Sequence, residues 1–199
     1  MQRRRSNGFT LIEIMITSAV LGILVIGIYS VLAASQSLYA TGITRQEIQD
    51  RVRRALNEIA IELRQSSSGS GAAITFDTLP SSAGDDSVVF CVCTGFTAGV
   101  TTWSAPITYR TIDGDDDADD GIDNNRNKMT DERKIVRIQT GRPTRVIADN
   151  VREGSLQFTR VLTAGLVDNI TVALTMQGVD AQGKVIEASG TVMVDLRNQ

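Results

Sequence analysis

Residues 9–34 read FTLIEIMITSAVLGILVIGIYSVLAA, twenty-six positions carrying one charge, Glu13. As a helix this run spans about 39 Å at ~1.5 Å per residue, more than the ~30 Å hydrocarbon core of a bilayer. The residues before it, MQRRRSNG, hold Arg3, Arg4 and Arg5 and no acid. The positive-inside rule then predicts a cytoplasmic N-terminus, with everything after residue 34 on the far side of the membrane. An ordinary secretory signal offers a competing reading, with Val31-Leu32-Ala33 as its cut site. Its apolar run is typically ~7–15 residues, however, and this one is far longer and contains a carboxylate. A charge at mid-helix in hydrocarbon costs on the order of 2.5–3.5 kcal/mol, so Glu13 is a functional candidate in need of a partner.

Downstream, residues 35–65 read SQSLYATGITRQEIQDRVRRALNEIAIELRQ. Ile48, Val52, Leu56, Ile59 and Leu63 recur at helical spacing and form one apolar stripe, opposite Arg45, Gln46, Asp50, Arg53 and Arg54. The spacing predicts a single helix whose first part lies in the membrane and whose second part, amphipathic, packs on something outside it. Residues 66–72, SSSGSGA, read as a flexible break. Strand-like segments follow at 73–79, 86–96, 106–113, 134–140, 144–148, 155–162, 168–177 and 184–197, rich in Val, Ile, Thr and Phe and bounded by Gly, Asp and Asn. No helical crossovers intervene, so the pairing is expected to be antiparallel.

Composition removes several classes of function. The chain of 199 residues is 42% hydrophobic and 22% charged, which suits one folded domain plus an anchor rather than a disordered chain. It contains no histidine, which excludes His-based triads, His general bases and His metal ligands. Formal net charge is -3, and it becomes more acidic without the arginine cluster, so no basic footprint for nucleic acid exists. No nucleophile motif is recognisable, and the chain is expected not to be an enzyme. Cys91 and Cys93 are spaced C-x-C, without the further ligands a zinc site needs. They read as two thiols on one strand face; a disulfide between residues two apart is geometrically awkward.

An acidic run, DGDDDADDGIDNNRN, occupies residues 113–127, with seven aspartates between positions 113 and 123. Such density repels unless solvent or a cation relieves it, and Ca²⁺ takes 6–8 oxygen ligands. Asp113, Asp115, Asp117, Asp119, Asp120 and Asp123 are the candidate ligands. The EF-hand template fits poorly: from Asp115 the sixth position is Asp120, from Asp116 the third is Ala118, and neither register ends in glutamate. A Ca²⁺ loop and a plain solvated loop both remain open; no other cofactor is expected.

The stretch Gly8-Phe9-Thr10-Leu11-Ile12-Glu13 resembles the cleavage signature of type IV prepilins and type II secretion pseudopilins. The resemblance implies an α+β, type IV pilin-like fold: a long N-terminal helix, transmembrane then amphipathic, packed on a C-terminal antiparallel sheet domain. It divides the chain into a cleaved basic leader (1–8), a transmembrane and filament-core helix (9–34), its amphipathic continuation (35–65) and a periplasmic β-rich head (66–199). It implies that a prepilin peptidase cuts between Gly8 and Phe9 and methylates the new amine. Glu13 is then the fifth mature residue, pairing with a neighbouring subunit's N-terminal amine to set the assembly register. Other minor and major pilins or pseudopilins become the partners, and the inner membrane the first location, before a pilus or pseudopilus. The helix-kinking proline of many major pilins is replaced by Ser30, leaving Gly22 and Gly27 as the helix weakeners. Scattered features resemble PilW-type minor pilins: Tyr29-Ser30, Ser35-Gln36-Ser37-Leu38-Tyr39, Arg54-Ala55-Leu56, Glu62-Leu63-Arg64, Asn150-Val151, Leu156-Gln157-Phe158 and the closing Val194-Asp195-Leu196-Arg197-Asn198. The alternatives are a J-type pseudopilin and, from another class, a pilin-like adhesin or DNA-uptake module. The last is disfavoured by 5% aromatic content and acidic charge.

Overall fold

The apolar run and the amphipathic stripe behind it form one continuous helix, α1 (Leu11–Leu63). The computed structural model describes residues 9–66, 75–77, 87–114, 121–163 and 166–196. The leader 1–8 and most of the Ser/Gly-rich break therefore lie outside the described residues. α1 runs unbroken through Ser30, whose hydroxyl donates to the Ile26 carbonyl at 2.9 Å, a back-bond that keeps the polar group satisfied in an apolar helix. The chain divides into two compact units, residues 1–41 and 42–199.

In the first unit the helix buries no large apolar side chain: Phe9, Ile12, Leu24, Ile28 and Leu32 are all exposed. This is the part of α1 long and apolar enough to cross a membrane.

In the second unit, residues 42–63 of α1 bury one face. Ile48, Val52, Leu56, Ile59 and Leu63 are all buried, as the helical spacing predicts, while Arg45, Gln46, Asp50, Arg53 and Arg54 stay exposed. The described residues add ten strands: β1 (Thr75–Asp77), β2 (Ser87–Phe90), β3 (Cys93–Thr97), β4 (Val100–Trp103), β5 (Ile107–Asp113), β6 (Arg133–Gln139), β7 (Arg145–Val151), β8 (Gln157–Thr163), β9 (Leu166–Val179) and β10 (Val185–Asp195). Eight form one sheet in the order β1-β2-β5-β6-β7-β9-β10, with β8 also pairing β9; among the described strands every pairing is antiparallel. β9 is long enough to carry β10 along one side and both β8 and the end of β7 along the other.

Helix and sheet meet closely because two strand positions lack side chains. A Cβ on Gly178 would lie 2.7 Å from Ile48 Cδ1, and one on Gly190 would lie 2.6 Å from Val52 Cγ1 and 2.8 Å from Leu56 Cδ1. Interiors packed to crystal density leave no room for that extra atom. The core extends to Val88, Phe90, Ile107, Tyr109, Ile135, Leu156, Ile170, Leu174 and Met176, with the Phe90 and Tyr109 rings stacked at 5.9 Å.

One strand expectation is corrected. Residues 86–96 are not a single strand: β2 ends at Phe90, and the chain leaves the large sheet to form a separate hairpin, β3–β4. The exchange is accompanied by hydrogen bonds to residues distant in the chain. Val92 N–H donates to Ser104 Oγ, Ser104 N–H to the Val92 carbonyl, and Cys93 N–H to the Gln65 carbonyl just past α1. The turn Ala98-Gly99 has φ of 52° and 80°, the positive pair that two-residue hairpins require. Cys91 and Cys93 therefore do not share one strand face; both are free thiols, half-buried, either side of the break.

Candidate functional site

The start of α1 is built by two side chains three residues apart. Thr10 N–H donates to Glu13 Oε2 at 3.0 Å, and the Thr10 hydroxyl donates to the same oxygen at 3.0 Å. In return Glu13 N–H reaches Thr10 Oγ1 at 3.3 Å, and both Glu13 and Ile14 amides donate to the Thr10 carbonyl. This is a capping box, in which a Thr at the cap and a Glu three positions on satisfy each other's orphan amides. It also places the carboxylate against the helix N-terminus, where the backbone dipole favours negative charge. Glu13 is thus hydrogen-bonded within its own chain, and among the described residues no cation pairs with it. Thr10 escaped the sequence reading, although its signal was visible as T-x-x-E at 10–13. Phe9, the other described residue of the junction, is 83% exposed; Gly8 lies outside the described residues.

The second polar constellation sits where α1 ends on the sheet. Arg137 Nε on β6 donates to both Glu62 oxygens, at 3.0 and 2.9 Å, and Tyr109 OH on β5 donates to Glu62 Oε2 at 2.9 Å. Arg137 Nη2 reaches Gln139 Oε1, whose amide in turn donates to the Ala105 carbonyl. Burial pushes the Tyr109 phenol well above its ordinary range, and the charge and hydrogen bond of Glu62 add to it, against a smaller opposing effect of Arg137. For Arg137, burial works against the cation, but its bond to Glu62 and that residue's charge outweigh it and hold the guanidinium above its usual value. Nearby, Arg145 pairs with Glu58, and Arg51 with Glu47. The Arg137–Glu62 and Arg145–Glu58 pairs tie helix to sheet, while Arg51–Glu47 lies within α1.

The acidic run lies between β5 and β6. Asp113 receives Arg133 Nη1 at 2.9 Å, across the register pair that closes this loop. Asp123 accepts the amides of Asn127 and Lys128 at 3.0 and 2.7 Å, so it braces a turn. Asn127 Nδ2 donates to the buried Glu132, and Lys128 holds φ at 73°. Asp115, Asp117, Asp119 and Asp120 lie outside the described residues. Among the described residues no group of three or more Cys, Asp or Glu side chains could hold a metal.

The first part of α1 is therefore an exposed apolar helix whose start is capped by a carboxylate. Residues 3–29 match the family described as the prokaryotic N-terminal methylation motif. That motif supports a reading of the chain as a type IV prepilin or pseudopilin. It implies processing by a prepilin peptidase and assembly with other pilins, and with the apolar helix it fits a membrane-anchored pilin. No curated protein and no solved structure matches the chain.

Proposed function

We propose that this chain is a minor type IV pilin of the PilW type. It is cut between Gly8 and Phe9, methylated on the new amine and held once through the inner membrane, N-terminus cytoplasmic and head periplasmic. From there it is drawn into a pilus, or primes one. The observation that carries this reading is the methylation motif leading directly into a helix whose first thirty or so residues keep their large apolar side chains exposed, with a single carboxylate at the tip. In a filament core without water, Glu13 pairs with a neighbour's N-terminal amine; an unpaired carboxylate there is costly and a paired one fixes axial register. The PilW label is supported by the scattered sequence features given above. A J-type pseudopilin of type II secretion would use the same helix and the same Glu13.

Two measurements test this. Intact-mass and N-terminal analysis of the membrane-extracted chain should give a methylated Phe9 as first residue; a start at Ala34 would mean an ordinary signal peptide and would sink the assignment. Glu13→Ala should still be cleaved and still reside in the membrane, yet appear in sheared filaments at a small fraction of the normal amount. Normal incorporation of that variant removes the register role.

A further inference from the structure

The large sheet ends on a strand that is unusually open. β10 pairs β9 over eleven consecutive residues, Val185↔Val179 through Asp195↔Asn169, without a register shift. The β6–β7 and β8–β9 pairings both contain irregularities, the usual device for bending a strand away from further pairing. The hairpin turn fixes which backbone groups face outward. Asp180 N–H donates to the Lys184 carbonyl at 3.0 Å, which makes that pair hydrogen-bonded. Bonded and non-bonded pairs alternate along an antiparallel ladder. Ile186, Ala188, Gly190, Val192 and Val194 are therefore the residues bonded to β9. The amides and carbonyls of Val185, Glu187, Ser189, Thr191, Met193 and Asp195 point away from the sheet. Among the described residues no backbone hydrogen bond reaches that outer row.

Edges are normally guarded by proline, lysine or an outward charge. Residues 185–195 contain no proline and no lysine. The one acid before the strand's last residue, Glu187, is turned back onto its own sheet, where Arg152 Nη1 and Gln177 Nε2 donate to its two oxygens at 3.2 and 3.1 Å. From Ser189 to Met193 the edge is uncharged, and Met193 is 60% exposed. Only an extended chain repeats N–H and C=O at the spacing such a row presents, so main-chain bonds would supply affinity and alternate side chains the selectivity.

We propose that the outer edge of β10 receives an extended strand from a neighbouring pilin-family subunit, one with uncharged residues opposite Ser189, Thr191 and Met193. This rests on the proposed assembly with other pilins and names the surface through which the heads would join. Amide hydrogen exchange, read residue by residue by fragmentation mass spectrometry, tests it on the full chain. The chain is compared singly in detergent and in sheared assemblies recovered with other pilin subunits. The amides of Glu187, Ser189, Thr191 and Met193 should exchange at least about tenfold more slowly in the assembly, while Ala188, Gly190 and Val192 are slow in both states. Ser189→Pro removes an outward amide and leaves the β9 ladder whole; it should keep the inner amides slow in detergent and lose the protection of its neighbours in the assembly. Thr191→Lys, an exposed side-chain change, serves the same purpose should proline disturb the strand. Outer amides equally fast in both states, or already slow in the single chain, overturn the edge proposal while leaving the pilin reading intact. Failure to recover the chain with any other pilin subunit overturns both.

Discussion

Two stretches of the same helix meet opposite fates. Between Phe9 and Tyr39, large apolar side chains on every face are exposed, and a Cβ added at Gly22 or Gly27 would meet nothing within 4 Å. Between Ile48 and Leu63, one apolar face is fully buried, and the glycines that matter lie on the opposing strands, where a Cβ would strike the helix. A contiguous apolar surface of the first kind calls for a partner outside the chain. The second kind already has its partner within the fold. The polar groups divide the same way. Among the described residues Glu13 is bonded by Thr10, whereas Glu62 is closed by Arg137 and Tyr109. The contrast teaches that helical continuity says nothing about shared purpose: one part leaves its apolar surface exposed, the other buries its face within the head.

The comparison is most exposed to failure at the two glutamates. Glu62→Ala leaves Arg137, mostly buried, without its carboxylate, and should destabilise the full chain by about 3 kcal/mol in a detergent melt. Glu13→Ala should leave the same melt unchanged. Equal effects would mean that the two parts of α1 depend on each other for stability. A somewhat smaller effect is expected at the glycines. Gly190→Val drives a branched side chain into Val52 and Leu56 and should cost about 2 kcal/mol, whereas Gly27→Val should leave the melting of the head where it is. A Gly190→Val protein as stable as the parent would show that the helix can lift off the sheet at little cost.

Much of this contrast was legible in the sequence, because it rests on periodicity. The change from an all-apolar run to spacings of three and four between Ile48 and Leu63 marked where the helix acquires a buried face, and those five residues are buried. Strands at 106–113 and 134–140 were legible for the same reason, lying within one residue of β5 and β6. The β3–β4 hairpin was not. β4 is four residues long, and its turn uses Ala98 at positive φ, which no composition rule favours. The break at Cys91–Val92 depends on hydrogen bonds from Ser104 and Gln65, twelve and more residues away. Of the site, Glu13 stood out as a lone charge in an apolar run. Thr10 was legible too, as the first position of a T-x-x-E capping pattern that the lone charge overshadowed. Glu62 and Arg137 lie 75 positions apart, and nothing local marks them as a pair.

The Glu62 cluster also carries a pH dependence that the first part of the helix lacks. Folding holds the Tyr109 phenol protonated above the ~10 of a free tyrosine. Above that pH the folded chain binds more protons than the unfolded one, so stability is full below about 10 and falls as pH rises beyond it. Tyr109→Phe should cost about 1 kcal/mol at neutral pH through the lost hydrogen bond and should flatten the alkaline decline. An unchanged alkaline slope in that variant would place the titrating group elsewhere.

The smallest effect tests whether the head is as self-sufficient as its core suggests. The proposal that the aspartate run takes Ca²⁺ rests on composition, and its two ends already have protein partners: Asp113 holds Arg133, and Asp123 holds two amides of its own turn. Between them Asp115, Asp116, Asp117, Asp119 and Asp120 concentrate like charge in the sequence, which a cation would relieve. A cation binding only the folded head raises stability by RT ln(1 + [L]/Kd), about 0.8 kcal/mol at a threefold excess over Kd, so the full chain should melt slightly higher in millimolar Ca²⁺ than in chelator. Mg²⁺ should help less, since it demands tighter octahedral geometry and sheds water reluctantly. Replacing Asp115, Asp117 and Asp119 together by Asn should remove the difference, because it takes charge from the run without touching the ion pair at Asp113 or the turn at Asp123. If the triple variant keeps the difference and Asp123→Asn alone loses it, the cation sits on the alternating Asp123, Asn125 and Asn127 instead. Identical melting in calcium and chelator at matched ionic strength makes the run a solvated loop, and the head then needs no partner for its stability.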